Sequence, residues 1–253
     1  MNAFQDKAAL VTGASRGLGR AIALRLGRGG ALVAVHYARD ADGARRTVET
    51  IEKEGGTAFA VRAELGVPQG VSSLFTDVTK RLRERTGEPG LDILVNNAGV
   101  KVAGAPEEAT AEDFDRLIAV NARAPFLATV HALTTLRDGG RVINISSGLT
   151  RLRDPASLVY AMSKGALEQL TRHLAPALGA RGITINTVLP GATRTGQPFW
   201  DDPDLAAQIT AMSPLRRAGE PEDVADVVAF LASEQGRWVT GSAIDASGGA
   251  LAG

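Results

Sequence analysis

Short apolar runs recur along the chain: KAALVT (7–12), GALVAVH (30–36), TAFAVRA (57–63), LDILVN (91–96), GRVINIS (140–146), GITINTVL (182–189) and a weaker SAIDA (242–246). Each has the length and β-branched content of a strand. Between the first six lie stretches whose apolar residues repeat with the helical period: 18–28, 41–54, 71–85, 110–136 and 157–178. A further helix is predicted over 221–233, with Pro221 at its first position, where a missing N–H does no harm. Strand and helix alternate, so the pattern predicts an α/β fold: a doubly wound, Rossmann-type parallel sheet of about seven strands with helices on both faces.

No internal repeat, low-complexity tract or Ser/Pro linker divides the sequence, so one domain over 1–253 is expected. Its longest irregular stretch is PGATRTGQPFWDDPD (190–204), after the sixth strand. Ligands of such sheets bind beyond the carboxyl ends of the strands, which makes 190–217 the expected substrate region. An ordinary surface excursion fits the same residues.

Composition narrows the chemistry. With 28 Lys+Arg against 28 Asp+Glu the formal charge is zero, which disfavours nucleic acid. There is no cysteine, and His36, His131 and His173 lack metal-ligand spacing, so no metal site is expected. No apolar stretch is long enough to span a bilayer, and a soluble, cytoplasmic protein is expected.

ALVTGASRGLGRAIALRL (9–26) places Gly13, Gly17 and Gly19 between the first strand and the first helix. Glycine there permits a tight turn and a close phosphate approach, and the following helix N-terminus favours an anion. Any sharp strand-to-helix turn also favours glycine, and the spacing departs from G-x-G-x-x-G. After the second strand stand Tyr37 and Arg39, with no carboxylate before Asp40, while Arg16 lies inside the loop. Two guanidinium groups suit the 2′-phosphate of NADP(H) better than the bare ribose of NAD(H), although both also suit solvated surface positions.

YAMSK (160–164) sets Tyr160 one helical turn before Lys164. Taken alone, this spacing reads as a half-buried amphipathic face. The same pair suits proton exchange, because an ammonium beside a phenol that titrates near ~10 favours the phenolate. Ser147 closes a buried strand, and Asn121 precedes Pro125 by one turn, where a missing N–H disturbs the helix. Thr110 is a plausible N-cap for that helix, with Asp113 in its first turn.

With TGASRGLG at the start, NNAG at 96–99, NISS at 144–147, YAMSK at 160–164, PG at 190–191 and VTGSAIDASGG at 239–249, the chain resembles the short-chain dehydrogenase/reductase family along nearly its whole length. The resemblance implies hydride transfer between nicotinamide and a carbonyl or secondary alcohol. It makes Tyr160 the acid/base, Lys164 its partner, Ser147 the substrate-orienting hydroxyl and Asn121 the organiser of a proton relay. Gly13, Ser15, Arg16, Gly17, Leu18 and Gly19 would hold the pyrophosphate. Tyr37, Arg39, Glu64 and Leu65 would meet the adenosine end, and Asn97, Ala98 and Gly99 its ribose. Pro190, Gly191, Thr193 and Thr195, with Tyr160 and Lys164, would face the nicotinamide half. A homotetramer is implied, with helices 110–136 and 157–178 at one interface and the last strand at another.

Two departures matter. Glu64-Leu65 stands where many members carry an aspartate, which weakens the adenine contact. Of the two arginines that 3-oxoacyl-carrier-protein reductases would present to an acidic carrier, one survives as Arg181 and the other is Asp138. A small-molecule ketone is therefore preferred over a carrier-bound substrate. Imine reduction, a catalytically silent nucleotide sensor and a structural protein with a vestigial site stand as alternatives. Substrate choice is expected to come from 148–159, where Arg151 or Arg153 would attract an anion, and from 192–217, where Phe199 and Trp200 would form a lid.

Overall fold

A computed structural model describes residues 3–252, apart from the side chain of Phe199. The strands are β1 (Ala8–Val11), β2 (Leu32–Tyr37), β3 (Thr57–Arg62), β4 (Leu91–Asn96), β5 (Leu136–Ile145), β6 (Thr184–Pro190) and β7 (Ala243–Ala246). They form one parallel sheet in the order β3-β2-β1-β4-β5-β6-β7. Every residue of β1, β4 and β6 is buried, as expected for the central strands of a parallel sheet, the polar Asp92, Asn96, Thr184, Asn186 and Thr187 included.

The helices are α1 (Gly17–Arg28), α2 (Ala41–Lys53), α3 (Gly70–Thr86), α4 (Ala111–Ile118), α5 (Ala124–Ala132), α6 (Leu158–Leu178), α7 (Pro203–Ala211) and α8 (Pro221–Ala232). Helices α1, α2 and α8 cover one face of the sheet through Ile22, Leu26, Ile51, Val224 and Val228. Helices α3, α5 and α6 cover the other through Leu74, Val78, Leu82, Ala128, Ala132 and Leu178. Each fully buried leucine, isoleucine or valine among them contributes roughly 1.5–3 kcal/mol.

Three local outcomes differ from the sequence expectation. The segment 110–136 is not one helix: α4, capped by Thr110 accepting from the Asp113 N–H at 3.1 Å, runs into a π-helical turn over Ala119–Arg123 before α5. Pro125 cannot donate to the Asn121 carbonyl, and the wider turn absorbs that lost bond. The helix also stops at Ala132, because Leu136 already pairs with Leu91 of β4 as the start of β5. Third, 203–211 forms α7, which begins at the end of the irregular stretch 190–204 and lies inside the expected substrate region 190–217. Its signal was present in DDPD: Asp202 accepts from the Asp204 and Leu205 N–H groups, and Pro203 takes the first helical position.

A chain of buried polar groups crosses the sheet. Asn96 Nδ2 donates to Asn144 Oδ1 at 2.8 Å, Asn144 Nδ2 to Thr171 Oγ1 at 2.9 Å, and Thr171 and Thr187 share a 2.7 Å hydroxyl contact. It ties β4, β5, α6 and β6 together, with Asn96 Oδ1 left as its one buried acceptor without a partner among the described residues.

His36 on β2 couples the sheet to the loop after β1. The Gly13 N–H donates to His36 Nδ1 at 3.0 Å, His36 Nε2 lies 3.1 Å from the Ala63 carbonyl, and the Ala14 N–H donates to the His36 carbonyl at 2.8 Å. An N–H on one side and a C=O on the other select the neutral ring protonated at Nε2. Burial pushes the imidazole from its ordinary 6.5 down to about 4. The folded protein therefore stays unprotonated in a window where the unfolded chain takes up a proton. About 3 kcal/mol of stability, present above pH 6.5, is expected to be lost as the pH falls to about 4. Thermal unfolding across that range should show this steep component in the wild type and lack it in His36→Asn; equal slopes would contradict a neutral buried ring.

Candidate active site

The loop from β1 to α1 is built for close approach. Gly13 and Gly17 hold φ of 65° and 55°, and a Cβ on Gly19 would lie 2.2 Å from the Gly13 carbonyl oxygen. No side chain caps α1, and its first turn carries no acidic residue. Its first amides are therefore open to an anion, the condition that a pyrophosphate requires. Ser15 and Leu18 are half-buried along the loop and Arg16 is exposed.

Thr12, unremarked in the sequence, fastens this loop to the neighbouring strand. Its N–H donates to the Val95 carbonyl at 3.0 Å, and its hydroxyl accepts from the Asn97 and Ala98 N–H groups at 2.9 and 3.0 Å. Asn97 Nδ2 returns bonds to the Thr12 and Gly13 carbonyls at 2.8 and 3.1 Å. The side chain of Asn97 thus shapes the glycine loop, while its backbone carries Ala98 and Gly99 past it.

At the far end, Tyr37 closes β2 half-buried and Arg39 is 85% exposed. Arg39 Nε lies 3.7 Å from Glu64 Oε2, so two of the expected adenosine contacts face each other. An exposed pair of this kind is worth at most about 1 kcal/mol, and a phosphate would compete with it readily. Asp40 accepts from the Gly43 N–H at 2.8 Å as the N-cap of α2, which engages one oxygen of the carboxylate that follows Arg39. Leu65 is buried beside Glu64.

The expected catalytic residues converge at the ends of β5 and α6. Ser147 follows β5 and shares a hydrogen bond with the Tyr160 hydroxyl. Lys164 is buried and donates from Nζ to the Ile145 carbonyl at 2.8 Å, with Nζ 6.0 Å from the Tyr160 ring centre. Asn121 is fully buried in the π-helical turn: Oδ1 accepts from the Val100 N–H at 2.9 Å, and Nδ2 donates to the Val100 carbonyl at 2.8 Å and Ser163 Oγ at 3.0 Å. A Cβ on Gly99 would lie 3.3 Å from both Asn121 Oδ1 and Lys164 Nζ, so glycine there lets the two groups come together.

The electrostatic balance differs from the sequence expectation. Burial of the Tyr160 phenol raises it above its ordinary value, and only the Ser147 hydrogen bond works in the other direction. Lys164 does not hold the tyrosine down, because its ammonium is turned toward a carbonyl and is itself pushed by burial to about 8. A second cation, Lys101, stands exposed with Nζ 5.7 Å from the Tyr160 ring centre, a neighbour that the sequence did not announce.

The segment after β6 folds back over the loop. Gly191 packs so closely on Ser247 that a Cβ would meet its Cα at 2.7 Å. Thr193 is buried, donates to the Gly191 carbonyl at 3.0 Å and bridges to Gly219. Thr195 sits against Gly17, where a Cβ would come within 3.3 Å of its own, and Gln197 brackets it through both backbone and hydroxyl. Trp200 lies under Arg194, 4.7 Å from ring centre to guanidinium, and donates to Gln197 at 3.2 Å. The lid expectation for Phe199 falls on a side chain outside the described residues. Arg151 is not poised for an anion: Nη2 pairs with the buried Glu168 at 2.5 Å.

Residues 13–250 match the family profile described as enoyl-(acyl carrier protein) reductase. An uncharacterized oxidoreductase of Methylorubrum extorquens is 43% identical over 98% of this chain and 99% of its own length. Versicolorin reductase 1 of Aspergillus parasiticus is 39% identical over 98% and 97%. Among solved structures, the angucycline C-6 ketoreductase LanV with bound NADP matches with a TM-score of 0.97 at 56% identity, covering 99% of this chain and 98% of that one. LugOII, a promiscuous reductase that catalyses keto-reduction at C1 during lugdunomycin biosynthesis, matches with 0.96 at 55%, over 98% and 99%. A profile running from the first loop glycine nearly to the C-terminus, and relatives of this identity over the full length, make the chain a member of the short-chain dehydrogenase/reductase family.

Proposed function

We propose that this protein is an NADPH-dependent ketoreductase that protonates its substrate from Tyr160, and that its substrate is a ketone of the angucycline type on which LanV acts. The observation that carries this reading is the Tyr160 hydroxyl, bonded to Ser147, at the same sheet edge as a glycine loop over which Thr195 is already seated. The open α1 amides and the Gly13–Gly19 contact suit a pyrophosphate, and Arg16 and Arg39 suit a 2′-phosphate. NADPH supplies the hydride when bound.

The chain's own residues do the rest. Ser147 orients the ketone oxygen and steadies charge as it develops there. Tyr160 gives its hydroxyl proton to that oxygen, and a phenol kept protonated by burial is the right form for reduction. Lys164, held by the Ile145 carbonyl and charged below about pH 8, would bind the nicotinamide half of the cofactor. Asn121 fixes the Val100 backbone and Ser163 beside it, so that the proton can be replaced along a fixed route.

A carrier-bound substrate is less well supported. Arg181 pairs with Asp138 at 2.8 Å and donates to the Leu133 and Leu136 carbonyls, so its guanidinium is spent inside the protein. A silent sensor would have no use for the Ser147–Tyr160 arrangement. Imine reduction would use the same residues and is separated only by substrate.

The assembly proposed is a cytoplasmic homotetramer, one domain per chain with 190–217 over the substrate. Among the described residues no helix is long and apolar enough to cross a membrane. Phe114, Phe126, Val130, Leu158 and Met162 are exposed on α4, α5 and α6, and Trp238 near β7 is 94% exposed. Apolar surface of this size favours burial between subunits.

A panel of polycyclic ketones followed by NADPH absorbance should find turnover; none across the panel would reject the reading. Tyr160→Phe is expected to keep NADPH binding within about threefold while kcat falls by about 10²–10⁴, and unchanged turnover would remove Tyr160 from the mechanism. Arg39→Ala should raise the KM for NADPH by about tenfold, the scale of one charge-assisted contact, and leave that for NADH nearly unchanged. Light scattering should return four times the 26.3 kDa chain mass, and a monomer would contradict the assembly.

A further inference from the structure

Glu168 is a carboxylate with only 6% of its surface exposed, on the helix that carries the proton-transfer pair, and nothing in the mechanism above uses it. It follows Lys164 by one turn and Tyr160 by two, so all three share a face of α6. Burying a carboxylate is unfavourable by several kcal/mol unless it is paired and bonded. Glu168 is both: Oε1 accepts from Ser146 Oγ at 2.8 Å and Oε2 from Arg151 Nη2 at 2.5 Å.

These two partners lie on either side of Ser147. Ser146 precedes it directly. Arg151 reaches it from the other side, since Nη1 donates to Thr150 Oγ1 at 2.9 Å and Thr150 Oγ1 donates to the Ser147 carbonyl at 2.9 Å. One buried carboxylate on α6 therefore grips the Ser147 turn before and after the residue whose hydroxyl meets Tyr160.

We propose that Glu168, acting through Ser146 and Arg151, is the positioning residue that holds the Ser147 hydroxyl in register with Tyr160. The inference rests on the ketoreductase reading above. Its chemical consequence follows from the same hydrogen bond: Ser147 is the group that works to lower Tyr160, so a slackened Ser147 leaves the phenol harder to ionise. The other charges facing Tyr160 are Lys164 Nζ from α6 and Lys101 Nζ from the loop after β4, and neither bonds to Glu168. A plain structural tie between β5 and α6 would lower stability without moving the tyrosine's titration.

The test compares wild type, Glu168→Gln, Arg151→Met and the double variant, with Ser147→Ala as reference, in both reaction directions. Each single variant is expected to lose about 10- to 100-fold in kcat with NADPH affinity, read by fluorescence titration, within twofold of wild type. The acidic, rising limb of alcohol oxidation should move to higher pH in both, in the direction taken by Ser147→Ala, and the double variant should fall little below the worse single one. Turnover within twofold of wild type, or a loss with the pH limb unmoved, would overturn the proposal. Arg151 is about half exposed, so Arg151→Met decides alone if Glu168→Gln does not fold. Absence of NADPH-linked turnover in the wild type would instead reject the ketoreductase reading, and this inference with it.

Discussion

The pairing of β1 with β4 is the constraint on which the site depends. In a parallel sheet ordered 3-2-1-4-5-6-7, this is where the chain changes direction of growth and where the loops on either side part. The Thr12 hydroxyl and the Asn97 amide close that parting with bonds of 2.8–3.1 Å between the ends of the two strands. The glycine loop is thereby held against Ala98 and Gly99, and Gly99 in turn leaves room for Asn121 and Lys164. The proposed nucleotide cradle and proton-transfer groups thus share one rigid edge, although Gly13 and Tyr160 lie 147 positions apart in the chain.

Burial sets the chemical state of that edge. Desolvation raises the Tyr160 phenol and lowers Lys164 to about 8, so each is biased toward its neutral form. The Ser147 hydrogen bond opposes this at the tyrosine, and the Ile145 carbonyl holds the lysine in place. A phenol so held in its protonated form suits the proton transfer to a developing alkoxide proposed above. His36 shows the same force in a supporting place: a buried neutral ring takes one N–H and offers another, and so locks the glycine loop to β2 and to the backbone beyond β3.

Much of this was legible in the chain. Continuous apolar runs give buried strands, helical periodicity gives the covering helices, and Thr110 caps α4 as its side chain predicts. Pro125 announced a disturbance at Asn121, and the π-helical turn is that disturbance. Asp202-Pro203 is a local start signal for α7, masked by the irregular residues that precede it. Arg151 read as a free cation at the mouth of the site, because its partner Glu168 is seventeen residues away on another element. Arg39 and Glu64 likewise reached each other only through the adjacency of β2 and β3.

By itself, then, the sequence determined the alternation of strand and helix, the glycine turn, and the placing of Tyr160 and Lys164 on one helical face, because all of these follow from spacing within a few residues. Tertiary structure decided which way the lysine turns, how far burial outweighs it at the phenol, and which distant carboxylate grips the Ser147 turn. Those outcomes depend on desolvation and on through-space partners, and neither is written in local spacing.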